Sequence, residues 1–149
     1  MMPFVKVPKD KLEDLKTLNK QGKIIFDWSI QDDVNSETSV LVLDGEISGL
    51  VEFQKQKGTH RMWKIEVSKE YRGSFVAGKL MAYVGLDSLN NGNDGFVYFV
   101  PKDALREYYI ENYGAQPYFK GFLHFDGQAT KKLIEKYLTD EDFCSKGVL

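Results

Sequence analysis

Cysteine is almost absent. Cys144 is the only one in 149 residues, which excludes an internal disulfide framework and any cysteine-based zinc cluster. In its polar C-terminal setting, with no histidine nearby, it is expected to be inert. Proline occurs only four times, and no Gly/Ser/Pro-rich linker or repeat divides the chain, so one domain over residues 1–149 is expected. The longest strongly apolar run, Phe96 to Val100, falls far short of the roughly 20 residues that span a bilayer. The opening residues Met1 to Pro8 lack the apolar core and small-residue cleavage site of a signal peptide, so a reduced, cytoplasmic protein away from membranes is expected. Neither sign of charge dominates: 20 Lys and Arg stand against 22 Asp and Glu, with a pI near 5.7. The basic residues are scattered, Lys131-Lys132 being the longest cluster, and this argues against a nucleic-acid partner. No G-x-S-x-G, H-E-x-x-H or EF-hand pattern occurs, and no metal site is expected.

What is present is a well-punctuated mixture of strand and helix signals. Pro3 to Val7 reads as a short edge strand stopped by Pro8. From Pro8 to Gln21, Leu12, Leu15 and Leu18 recur every three residues and Gly22 follows as a helix terminator, predicting an amphipathic helix. Asp27 to Thr38 is polar and acidic and reads as a loop or short helix; Asp27 to Glu37 could attract a cationic amine, though a solvated loop accounts for it better. Three strands follow as an antiparallel meander: Val40 to Leu43, Ile47 to Gln54 and His60 to Val67, turned by Asp44-Gly45 and Lys57-Gly58. Ser74 to Leu89 places Val76, Leu80, Tyr83 and Val84 at helical spacing. After a turn-rich Asn90 to Gly95, the uniformly apolar Phe96 to Val100 reads as a strand covered on both faces. Lys102 to Tyr113 is helical with Leu105, Tyr108 and Tyr109 on one face, Phe119 to Phe125 a strand, and Ala129 to Leu138 a last amphipathic helix. This order predicts an α+β, or mixed α/β, domain. His60, at a strand start, is expected to be exposed, and His124 to be a satisfied strand histidine.

The stretch from Trp63 to Leu80 is the one that carries chemistry: strand, short glycine-containing loop, helix. Such a junction aims unpaired backbone N–H groups and the positive end of a helix at one spot, where a phosphate is the natural occupant. A plain strand-to-helix connection accounts for the glycines equally well. Gly73 to Lys79 also fits the first seven positions of the P-loop G-x-x-x-x-G-K-S/T, but Leu80 stands where its metal-binding hydroxyl belongs, and antiparallel strands precede it.

Ile65-Glu66-Val67, then Tyr71-Arg72-Gly73, then Ala77 closing Arg72-x-x-Phe75-x-Ala77, resemble the coenzyme A-binding signature of the GNAT superfamily of N-acetyltransferases. Phe75 departs from it, standing where glycine is usual, and Gly78 lies one residue beyond. The resemblance extends over most of the chain and implies a central, mostly antiparallel, twisted sheet of six to seven strands flanked by helices. It also implies acetyl-CoA as co-substrate, without a metal, and transfer of its acetyl group to a small-molecule or peptide amine; a homodimer is compatible with it. The cofactor-binding positions it implies are Ile65, Val67, Arg72, Gly73, Ser74, Phe75, Val76, Ala77, Gly78 and Lys79. A free backbone N–H around Val67 would stabilise the oxyanion. Glu66 is the nearest carboxylate that could accept the amine's proton. Tyr108 to Gly114 resembles the segment bearing the family's general-acid tyrosine: counting from Ala104 selects Tyr108, counting back from Gly114 selects Ile110, and Tyr109 lies between. Pro101 stands near where an asparagine often contacts coenzyme A. A non-catalytic acyl-CoA sensor and, less favoured, a P-loop nucleotide binder are the alternatives.

Overall fold

In a computed structural model the chain is described over residues 3–139 and at Asp142; Cys144 lies outside the described residues. Seven strands form one sheet in the order β1-β2-β3-β4-β5-β7-β6. They are β1 (Phe4–Val7), β2 (Glu37–Leu43), β3 (Glu46–Lys55), β4 (His60–Val67), β5 (Val97–Phe99), β6 (Gln116–Pro117) and β7 (Leu123–Phe125). All neighbours pair antiparallel except β4 and β5, which run parallel. The helices are α1 (Lys16–Lys20), α2 (Val76–Asn90), α3 (Arg106–Tyr113) and α4 (Gly127–Tyr137). This is the mixed α+β class and the seven-stranded, mostly antiparallel sheet that the sequence implied. Among the described residues, no helix is long and apolar enough to cross a membrane.

The larger core lies on one face, where α2 and α4 cover Leu41, Val51, Phe53, Met62, Val97, Phe99 and Leu123. α2 is buried almost all round rather than along one stripe: from Val76 to Val84 only Ala77 escapes full burial. It is sandwiched between the sheet and α4, and the close approach needs glycine. A Cβ on Gly78 would stand 2.4 Å from the Tyr137 ring, and one on Gly85 would stand 2.5 Å from Thr130 Cγ2. α4 starts at Asp126, whose side chain accepts from the Ala129 N–H at 2.8 Å, satisfying one of the four orphan donors there.

The opposite face carries a smaller cluster of Leu12, Leu15, Ile24, Trp28, Val40 and Leu50. The segment expected as one helix over Pro8 to Gln21 is a 3₁₀ helix over Lys9–Leu15, followed by the single α-turn of α1. The three-residue recurrence of its leucines matches 3.0 residues per turn, not 3.6. Gly22 (φ 72) terminates it as anticipated.

Three other expectations are corrected. β5 is not covered on both faces: Val97 and Phe99 are buried, while Phe96 and Val100 are exposed. The strand expected over Phe119 to Phe125 shrinks to Leu123–Phe125, because Lys120 and Gly121 adopt positive φ in the turn of the β6-β7 hairpin. His60 is wholly buried, between β3 and β5 and beneath α2. Its Nε2 lies 2.7 Å from Asp87 Oδ2 and its Nδ1 3.0 Å from the Asn93 amide.

Candidate active site

β4 and β5 pair only at His60–Val97 and Arg61–Tyr98. Beyond that point β4 continues to Val67, whereas β5 stops at Phe99. The register between β3 and β4 shifts at the same place: Glu52 faces Lys64 and Phe53 faces Met62, leaving Trp63 as an extra, bulged residue. The strands part, and the gap opens a cleft of about 560 Å³ that passes between the two faces of the sheet. Its walls are Met62 to Val67 of β4, Phe99 to Lys102, the start of α2, the tyrosines of α3, and Ile25 with Phe26 from the opposite face. The Lys102 ammonium stands 4.6 Å from the centre of the Phe26 ring.

At one end of the cleft the chain turns from β4 into α2. Lys69–Tyr71 make a 3₁₀ turn, and Gly73 takes φ +79 with nothing within 4 Å of where a Cβ would lie. The Ser74 N–H donates to the Tyr71 carbonyl and the Val76 N–H to Ser74 Oγ, both at 3.3 Å. Among the described residues, the N–H groups of Gly73, Phe75, Ala77 and Gly78 donate to no protein acceptor. These four free donors lie at the positive end of a 15-residue helix, an arrangement that suits an anion. Arg72 folds back over the end of β4, its Nε 3.4 Å from the Val67 carbonyl and Nη2 3.9 Å from Glu66 Oε2.

Of the residues singled out in the sequence, Ile65, Glu66, Val67, Arg72, Gly73, Ser74, Ala77, Tyr108 and Tyr109 all line this cleft. Phe75, Val76, Gly78 and Lys79 do not. Phe75 is half-exposed at the helix N-cap, so only its amide is offered to the corner. Val76 is fully buried, close against Gly49 of β3. Gly78 is a glycine because Tyr137 crosses it. The Lys79 ammonium is bonded to Asp142 at 2.8 Å and is nearly buried, so it is already engaged within the protein, unlike the free lysine of a P-loop.

Glu66, 8% exposed, has both oxygens engaged as acceptors. Oε2 takes the Ile25 N–H at 2.7 Å; Oε1 takes the Phe26 N–H at 3.1 Å and Trp28 Nε1–H at 2.9 Å. Fully buried Glu52 does the same for the N–H groups of Asp32 and Asp33 and the Ser36 hydroxyl, with Lys64 Nζ at 3.4 Å. The acidic segment is therefore strapped across the sheet by two carboxylates, where a solvated loop was expected.

The tyrosines form a stack at the other wall. Tyr109 meets Phe99 edge-on at 5.2 Å, and Tyr113 packs against Tyr108, Tyr109 and Tyr137. Burial first, then Tyr108, pushes the Tyr109 phenol above its ordinary value; Tyr113 is pushed the same way, by burial and then by the Tyr108 hydroxyl. Both stay protonated at neutral pH. Tyr113 was missed in the sequence, although its spacing of four from Tyr109 puts it on the same helix face. The bulged Trp63 left no sequence signal.

No protein-family model and no curated protein matches the chain. Solved structures do. YhhK from E. coli, bound to coenzyme A, is similar with a TM-score of 0.61 at 13% identity, over 85% of this chain and 99% of that one. AtaTR bound with acetyl-CoA gives 0.61 at 12% identity, over 88% and 96%. An acetyltransferase of the GNAT family from Staphylococcus aureus gives 0.59 at 15% identity, over 83% and 98%. The fold of this chain is that of the GNAT acetyltransferases.

Proposed function

We propose that this protein is an acetyl-CoA-dependent N-acetyltransferase. The observation that carries the reading is the parting of β4 from β5 beside an open cradle of free amides. Space for a diphosphate at Gly73, where even a Cβ would meet nothing, favours it. The N–H groups of Gly73, Phe75, Ala77 and Gly78 would receive that diphosphate, and the unpaired edge of β4 would hold the pantetheine amides like an added strand. A neutral amine then attacks the thioester carbon. The C–N bond forms, the carbonyl oxygen gathers charge against a free N–H of β4, and the C–S bond breaks. The leaving thiolate takes a proton from a tyrosine. Tyr109 is the best placed, half-buried against Phe99 at the border of the gap, whereas Tyr108 is half-exposed at the mouth. The amine's proton leaves through water, since the lone pairs of Glu66 are committed to the strap.

The test is a titration with acetyl-CoA, which should raise the melting temperature. It is paired with an assay of free thiol over polyamines, aminoglycosides, amino acids and peptides. No thermal response up to millimolar acetyl-CoA removes the proposal; Tyr109→Phe should lower kcat and leave acetyl-CoA binding intact. The engagement of Glu66, the one carboxylate lining the cleft among the described residues, favours a second reading, an acyl-CoA-binding module without catalysis. Thermal stabilisation with no thiol release from any amine would select it.

A further inference from the structure

On the face of the sheet opposite α2 and α4, Arg61 lies flat on Trp63, its guanidinium carbon 3.6 Å from the ring centre, with Tyr98 at 5.4 Å and Phe122 at 5.3 Å. Among the described residues it has no carboxylate within 4 Å and no hydrogen-bond acceptor, and its buried Nε is unpaired. A guanidinium carries five donors in a planar fork suited to a carboxylate, and buried donors are rarely left unmatched. The neighbouring cavity, about 270 Å³, is lined by Lys57, His124, Tyr98 and Tyr118 and by no carboxylate. Trp63 joins the two places: it supports Arg61 and also lines the active-site cleft.

We propose that Arg61 and its aromatic surround form an acceptor subsite for amines that carry a carboxylate. Two residues of strand separate Arg61 from the bulged Trp63, where β4 leaves β5, and a thioester reaching that point along the free edge of β4 would bring the reacting nitrogen within about 7–10 Å of the carboxylate. The aromatic rings would cover the apolar spacer between them. This inference rests on the transferase reading and names its substrate class.

The experiment uses the intact protein with acetyl-CoA and the probes 5-aminopentanoate and 6-aminohexanoate, each paired with its neutral primary amide. Calorimetric titration should show the acids binding roughly 10–100-fold more tightly than the amides, the worth of a hydrogen-bonded charge. Arg61→Gln should erase the difference, and Arg61→Lys should restore only part of it. In the thiol assay the same variant should raise KM for the acids while leaving the amides unchanged. Equal binding of acid and amide to the wild-type protein, or an unaltered preference in Arg61→Gln, overturns the subsite. If that result comes with continued thiol release from other amines, the transferase reading survives. Loss of the thermal response to acetyl-CoA overturns the transferase reading instead, while Arg61-dependent carboxylate binding is still read by the titration.

Discussion

Glu66→Gln separates a structural carboxylate from a catalytic one. The substitution keeps the shape and replaces one oxygen by an amide NH₂. The best arrangement leaves the carbonyl at the Oε1 position, keeping the bonds from Phe26 and Trp28, and sets the NH₂ against the Ile25 N–H, now 2.7 Å away, donor against donor. One bond to a charged acceptor is lost, about 1.5–3 kcal/mol. The two that remain change from charge-assisted to neutral and weaken by roughly half. Solvent offers little relief, since the side chain is 7% exposed, and Arg72, itself half-exposed, adds little at 3.9 Å. The sum is about 3–6 kcal/mol, out of a total stability of about 5–15 kcal/mol. For a domain of this size that lowers Tm by roughly 10 °C. Urea titration followed by tryptophan emission is the assay, because the acceptor of Trp28 Nε1–H changes directly from a carboxylate to a neutral amide. Stability within about 0.5 kcal/mol of wild type, together with a hundredfold fall in kcat, would refute the reasoning and make Glu66 the proton acceptor after all.

Three further perturbations test the neighbouring assignments. Gly78→Ala drives a Cβ into the Tyr137 ring and should cost about 1–3 kcal/mol, read by urea titration; Tyr137→Ala should recover part of that loss in the double variant. Phe75→Gly keeps the amide at the α2 N-cap and removes a half-exposed ring, so acetyl-CoA should bind as well or better by calorimetry, and a large loss would mean the cradle is assembled differently. Burial lifts Tyr83 to about 12, against the opposing hydrogen bond with Ser39 at 3.2 Å. A folded-state value above the unfolded one means stability fully present below pH 10 and lost as pH rises through 12, about 3 kcal/mol for this residue. Tyr83→Phe should flatten the wild-type decline in urea midpoint over that range.

The sequence was most legible where local rules act alone. Asp44-Gly45 and Lys57-Gly58 turn the meander at the positions read from them, with Asp44, Gly45 and Gly58 at positive φ. The strand, Tyr-Arg-Gly loop and helix place Ile65 to Val67, Arg72 to Ser74 and Ala77 along one wall of one cleft, because residues close together at a junction cannot be far apart. What was not legible depends on partners distant in the chain. The missing side chain of Gly78 reads as room for a ligand until α4, fifty residues on, is laid across it. Lys79 reads as a phosphate ligand until Asp142 claims it. Glu66 alternates properly as an outward strand residue, but the surface it faces is covered by a segment forty residues upstream whose amides need acceptors. His60 has no apolar neighbours to announce its burial, which comes from Asp87 and Asn93 closing over both ring nitrogens.

The parted strands have local causes, each modest. β5 is only three residues long, and Pro101, buried in the cleft wall two residues beyond it, has no N–H with which to extend a ladder. The bulge at Trp63 adds twist to β4 just past its last pairing with β5, turning the strand away from its neighbour. Closing the gap would need a donor at position 101 and an unbulged β4 together. The chain therefore leaves a stretch of β4 backbone unsatisfied inside its own sheet, an arrangement that costs free energy unless another group adds the missing strand. An extended ligand with amides spaced like a peptide supplies that strand, which is why the opening, more than any single side chain near it, points to a pantetheine arm.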